Sequence, residues 1–175
     1  MDGGVFTEAD LDAMPDAGNR YELVDGLIVV TPSPSLAHQR VSAELCFKLR
    51  LSCARNLRVL SAPLDVTLAD HTVIQPDLLV AVPTTFAELG LLGAPRLAVE
   101  ILSPSTRLYD LNTKNSALER AGCPAYWVVD PSVPSITAWE LRDGTYIETQ
   151  HATGDQTFTV DTPFQVSFRP ADLLD

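Results

Sequence analysis

Two apolar runs of the chain carry one carboxylate each: "VIQPDLLVAV" holds Asp77 and "RLAVEILSPS" holds Glu100. A buried carboxylate without a partner is strongly destabilising. Strands that follow one another are often spatial neighbours. Two carboxylates from adjacent strands can then converge on one hard divalent cation, which takes oxygen ligands. Other partners stand beside this reading. Asp77 follows Pro76, which cannot donate a ladder hydrogen bond, so it also suits a sheet edge or distortion. Glu100 can pair with an arginine such as Arg96 or Arg107.

Lys114 is the third anomaly. It stands three residues after Leu111 and four before Leu118, on the inward stripe of a helix. A lysine there either snorkels to solvent or reaches something negative. A cation between two carboxylates, facing a lysine, suits phosphoryl chemistry. The cation acidifies a water and polarises a phosphodiester oxygen. The ammonium stabilises developing charge or orients the water. There is no G-x-S-x-G, no GxxxxGK[ST] and no H-E-x-x-H in the chain, so those enzyme classes lose support.

These residues need a scaffold. Thr7 caps a short predicted helix, "TEADLDAM". "RYELVDGLIVVTP" reads as a hairpin about Asp25-Gly26. In "SPSLAHQRVSAELCFKLRLSCARN", Ala37, Val41, Leu45 and Leu49 recur every four residues after the candidate cap Ser35, which predicts an amphipathic helix. "LRVLSAPLDVTLA", "TVIQPDLLVAV" and "RLAVEIL" read as strands, and "PTTFAELGLLGAP" as a loop with a helical turn. A helix is predicted from Ser105 or Tyr109 to Ala121, stopped by Gly122 and Pro124. "AYWVVDP" is a further strand. A β meander with an Asp143-Gly144 turn and a closing helical turn, "RPADLLD", completes the chain. The fold class is α+β, a mixed sheet flanked by helices. One domain spans 1–175, with an extension (1–19), a core (20–130) and a C-terminal β meander (131–175).

The chain has 175 residues, 46% of them hydrophobic, enough for a real core. Neither a membrane-length apolar run nor a secretory signal is visible, so a cytoplasmic protein with no membrane partner is expected. Three cysteines without a CxxC pair read as small core hydrophobes in a reducing compartment. Net charge is −11, from 12 basic and 23 acidic residues, which is unfavourable for a partner made of phosphates. The charge is uneven, however. Arg40, Lys48, Arg50, Arg55 and Arg58 cluster with Glu44 as the only acid among them.

Six segments together resemble the putative restriction endonuclease family of the PD-(D/E)XK nuclease superfamily. They are "YELVDG" (Tyr21–Gly26), "PSPSLAHQR" (Pro32–Arg40), "QPDLLV" (Gln75–Val80), "VEILSPST" (Val99–Thr106), "YDLNTK" (Tyr109–Lys114) and "AGCPAYWVVDP" (Ala121–Pro131). The resemblance implies a restriction endonuclease-like core with additional β-hairpins. It implies a metal, Mg2+ or Mn2+, on Asp77, Glu100 and the Ile101 backbone carbonyl. The superfamily's usual lysine position is Leu102 here, and the family pattern displaces that lysine to Lys114. Glu22 and His38 also match motif positions. Glu22 reads equally as a solvated hairpin residue or an extra metal or water ligand; His38 reads as a core-edge histidine or a phosphate contact. Gln75, two before Asp77, is placed near the site. The chain departs from the family at Leu118, usually aromatic, and Ala125, usually acidic.

The implied activity is that of a divalent-metal-dependent endonuclease hydrolysing DNA phosphodiester bonds with a metal-activated water. The alternative is a non-catalytic nuclease-fold binding or interaction module; a phosphoesterase for smaller substrates stands third. If DNA binds, Arg40, Lys48, Arg55, Arg107 and Arg120 are expected to face it, against the plain reading of a solvated surface. Cutting both strands needs two sites, which is compatible with a homodimer.

Overall fold

The computed structural model describes residues 5–15, 19–104 and 107–174. Thr7 caps the short helix α1 (Glu8–Asp12), its hydroxyl accepting from the Asp10 amide while Asp10 accepts from the Thr7 amide. Strands β1 (Arg20–Val24) and β2 (Leu27–Thr31) form the expected hairpin. Asp25 and Gly26 have φ of 50° and 77°, the left-handed pair that a two-residue hairpin turn requires. Gly26 also admits the chain's N-terminal arm, because a Cβ there would lie 1.9 Å from Val5 Cγ1.

Helix α2 (Leu36–Ser52) starts at Ser35, whose hydroxyl accepts from the His38 amide. Val41, Leu45 and Leu49 are buried, but Ala37 is exposed. A four-residue spacing advances about 40° per step around a helix. The stripe therefore winds, and its first member leaves the core face.

Two departures from expectation follow: "LRVLSAPLDVTLA" is two strands, β3 (Arg58–Ser61) and β4 (Asp65–Ala69), in different sheets. "TVIQPDLLVAV" is two strands, β5 (Thr72–Ile74) and β6 (Leu78–Ala81), in different sheets. Pro76 has no N–H to give a ladder, so the chain leaves one sheet and enters the next around it. The expected loop "PTTFAELGLLGAP" holds a 3-10 turn (Pro83–Thr85) and also a strand, β7 (Gly90–Leu92), paired in parallel with β4.

Strand β8 (Leu97–Ile101) is joined to the parallel strand β9 (Ala125–Asp130) by a helical crossover, the long connection a parallel pair needs. The crossover is not uniform. Tyr109–Lys114 form a π-helical turn, and α3 (Asn115–Arg120) follows. A start at Ser105 lies outside the described residues. Strands β10 (Ser135–Arg142) and β11 (Thr145–Thr153) turn at Asp143-Gly144 and extend the same sheet from β9. The hairpin β12 (Phe158–Val160) and β13 (Val166–Phe168) and a final 3-10 turn (Pro170–Leu173) end the fold.

Six strands thus run β11-β10-β9-β8-β6-β3, and five run β2-β1-β5-β4-β7. The six-stranded sheet is buried on both faces, hence its continuous apolar runs. Leu78, Val80, Leu97, Val99, Trp127 and Val129 point to a core shared with α2 and the last hairpin. Leu79, Ala81, Ala98, Tyr126 and Val128 point to a second core shared with α3, β1, β4 and β5. Cys46, Cys53 and Cys123 are free thiols. Among the described residues, no helix is long and apolar enough to cross a membrane.

Leu45 is fully buried between α2 and the sheet. Leu45→Ala should cost about 2–5 kcal/mol, read as a lowered urea midpoint with an unchanged denaturant slope.

Candidate active site

The register of β6 and β8 sets the site. Leu78 faces Val99 and Leu79 faces Ala98. One step beyond the last pair, Asp77 stands opposite Glu100. Directly opposed side chains lie about 4.5–5.5 Å apart at Cβ, and two like charges there repel. Glu100 shares its sheet face with Ala98 and Leu102, the face that the crossover helix covers.

From that helix comes Lys114, with no solvent exposure at all. Its Nζ lies 2.9 Å from Glu100 Oε1, 2.9 Å from Glu22 Oε1 and 3.7 Å from Asp110 Oδ1. It does not snorkel. Burial alone would lower its pKa, but Glu100, Glu22 and Asp110 outweigh burial and raise it, so the ammonium stays charged. The Tyr109 ring adds a cation–π contact, with its centroid 5.4 Å from Nζ. The inward position expected from regular helical spacing therefore holds, although the turn that carries Lys114 is π-helical.

Asp77 is held from three sides. Arg20 Nη1 donates to Oδ1 at 3.2 Å, and the Ile101 amide donates to Oδ2 at 2.8 Å. His38 Nε2 lies 3.0 Å from the same Oδ2, so Nε2 carries the proton in this contact. Burial opposes ionisation of Asp77, but His38, Arg20 and Lys114 together lower its pKa to about 2. Glu100 goes the other way. Burial pushes it well above the ordinary value; Lys114 opposes the rise, and Asp77, Asp110 and Glu22 add to it.

Glu22 is fully buried, which removes its solvated-hairpin reading. Its Oε1 accepts from the Gln75 amide at 2.6 Å. Gln75 reaches the site through that amide, while its side chain donates to Asp65 Oδ1 at 2.7 Å. A cavity of about 630 Å3 opens at this point, with His38, Gln75, Asp77, Ile101, Asp110 and Arg20 on its wall. Glu22, Glu100 and Lys114 lie behind that wall, not on it.

The donor set fits a divalent cation. Four buried acids, Glu22, Asp77, Glu100 and Asp110, outnumber Arg20, Lys114 and His38 even with the histidine counted as charged. Glu22 Oε2 is buried without a hydrogen-bond partner. In an extended strand the N–H and C=O of one residue leave on the same side. Ile101 turns its N–H to Asp77, so its carbonyl leaves toward the same site. Among the described residues, no three His, Cys, Asp or Glu side chains form a ready-made cage. Mg2+ commonly uses only one or two carboxylates, completed by water and substrate phosphate.

Three residues of this cluster escaped sequence reasoning. Asp110 stands four before Lys114, and Arg20 two before Glu22 on one strand, so helical spacing and strand alternation could have flagged both. Thr31, which takes Arg20 Nε at 3.2 Å, carries no signal of its own. The expected basic face does not assemble. Arg40, Lys48 and Arg55 belong to α2 and the chain just after it, whereas Arg120 belongs to α3, on the opposite face of the sheet. Arg120 pairs with Asp25, Arg107 pairs with Asp130, and Lys48 lies over the Phe168 ring. None of the five lines the cavity.

A mixed sheet flanked by helices, with paired acids where one strand breaks, is the architecture of a restriction endonuclease-like protein. A solved structure from Anabaena variabilis ATCC 29413, described as a putative nuclease belonging to DUF820, shares this fold with a TM-score of 0.78. The match covers 97% of each chain at 20% sequence identity. The chain belongs to the Uma2 family, described as putative restriction endonuclease, whose model matches residues 8–173. No curated protein matches.

Two outcomes follow from this electrostatic arrangement. The folded pKa of Asp77 lies below the ordinary 3.8, so its stabilisation is complete above that value and is lost as pH falls to about 2. Relative to Asp77→Asn, this stabilisation should amount to about 2 kcal/mol at neutral pH and vanish across that window in urea unfolding at a series of pH values. Lys114→Met should cost about 3–5 kcal/mol by leaving Glu22 and Glu100 unpaired. Adding Glu22→Gln and Glu100→Gln should recover much of that loss.

Proposed function

We propose that this protein is a divalent-metal-dependent endonuclease that hydrolyses DNA phosphodiester bonds. The observation that carries the reading is the meeting of Asp77, Glu100 and Lys114 beside a cavity, at the point where β6 begins. Membership of a family described as restriction endonucleases supports it.

Asp77, Glu100 and the Ile101 carbonyl would hold Mg2+ or Mn2+. When bound there, such an ion would supply a Lewis acid for a phosphoryl oxygen and an acidified water. The protein's own residues do the rest. Arg20 and His38 keep Asp77 ionised and fix its plane. Lys114 sits behind Glu100 and Glu22, out of the cavity's reach, so it acts by holding both carboxylates in place. Its proton stays on Nζ. Proline residues at 32, 34, 63 and 104 stiffen the cavity wall.

A second reading, a nuclease-fold interaction module without catalysis, draws on the net charge of −11, which opposes binding of a polyanion.

Incubation of plasmid and oligonucleotide DNA with Mg2+ or Mn2+ separates the two. The enzyme should cut, and Asp77→Ala should reduce the rate by about a hundredfold or more, the scale on which lost transition-state electrostatics is felt. No cutting by the wild type, together with no calorimetric uptake of Mg2+ or Mn2+, favours the module. Equal cutting by Asp77→Ala rules out the proposed site.

A further inference from the structure

Resting on the nuclease reading of the cavity, we infer that Arg20 is its phosphate-binding residue. The guanidinium, clamped between Thr31 and Asp77, turns its remaining N–H donors toward a phosphate of the bound strand.

The cavity wall is poor in positive charge. Among the described residues that line it, Arg20 is the only Lys or Arg, against Asp12, Asp65, Asp77 and Asp110. A polyanion entering this space has one fixed cation to meet. Lys114 is sealed behind the wall, and the surface basic residues of α2 and α3 do not reach it.

The guanidinium carries five N–H donors in a rigid plane. Nε donates to Thr31 Oγ1 at 3.2 Å and Nη1 to Asp77 Oδ1 at 3.2 Å. Nε and Nη1 stand on either side of Nη2, so the two bonds hold the plane from both flanks and leave Nη2 between them. The second Nη1 proton and both Nη2 protons have no protein acceptor among the described residues, and the side chain keeps 26% exposure at the cavity. The two free Nη2 protons lie in the guanidinium plane and can donate to phosphate oxygens.

The clamp comes from the hairpin register. Arg20 and Thr31 are cross-strand partners in β1 and β2. The Thr31 hydroxyl donates in turn to the Arg20 carbonyl at 3.4 Å, so the residue that holds the side chain is tied to the same backbone. Thr31 is nearly fully buried. The fork is therefore aimed before substrate arrives, which lowers the ordering cost of binding. An arginine whose only task was to neutralise Asp77 would need neither the second anchor nor the free Nη2 donors.

The test uses a probe with one phosphodiester, the dinucleotide TpT, in EDTA, with thymidine as the phosphate-free control. The Arg20 Nε–H resonance is assigned by its loss in Arg20→Lys. TpT should move it and thymidine should not. Arg20→Lys keeps the charge but loses the fork, and should weaken TpT binding by roughly tenfold or more. Thr31→Val should weaken it by a smaller factor with the same fold by circular dichroism. Where DNA is cut, Arg20→Lys should raise KM and also lower kcat, because Asp77 loses its guanidinium anchor. An unmoved Arg20 resonance, or equal TpT affinity in folded Arg20→Lys, overturns the assignment. TpT binding at Arg20 in a chain that cuts no DNA supports the anion site and sinks the nuclease reading alone.

Discussion

One ammonium group ties this molecule together. Lys114 Nζ sits at equal distance from Glu22 on the five-stranded sheet and Glu100 on the six-stranded sheet, with no water-accessible surface. The helical crossover that carries it thereby joins three pieces of backbone that share no ladder hydrogen bonds at that point. Inside a protein such a contact is an all-or-none arrangement. Complete, it holds two carboxylates oriented; with the lysine missing, both lose their cation. The rest of the site follows from that constraint. With Glu100 bound to the lysine, Asp77 must find its cations elsewhere, and it finds them in Arg20 and His38.

The acids still outnumber the bases, and the two carboxylates opposed across β6 and β8 respond in opposite directions. Asp77, ringed by donors, is a stronger acid than an ordinary carboxyl. Glu100, deeper and nearer other acids, is a weak one. A polar site built this way has a preference for positive charge written into its resting state.

Much of this was legible in the sequence because its signals are local. Charged residues inside apolar runs marked Asp77 and Glu100, and spacing marked Lys114. Asx-Gly pairs marked both hairpin turns, and Ser35 and Thr7 marked helix starts. What could not be read depended on distant chain segments meeting. Arg20 lies 57 residues from Asp77, and nothing near Arg20 announces its partner. Arg40, Lys48, Arg55 and Arg120 read as members of one DNA-facing surface, but the sheet stands between α2 and α3. The split of "TVIQPDLLVAV" across two sheets was half visible: Pro76 signalled a distortion, and only the pairing of both halves showed that the chain changes sheets there.

The π-helical turn at Tyr109–Lys114 makes the spacing between Glu100 and Lys114 a measured length. A π turn is an α-helix with one residue too many per turn, and such turns are frequent at functional sites. Loss of a single residue within Tyr109–Lys114 would let that turn relax to an ordinary helix and rotate the lysine by about 100° around the axis. The crossover therefore behaves as a ruler, unlike the surface loops that tolerate insertion and deletion. A change of length here would therefore disturb the site more than a change of identity on the solvent side of the same helix.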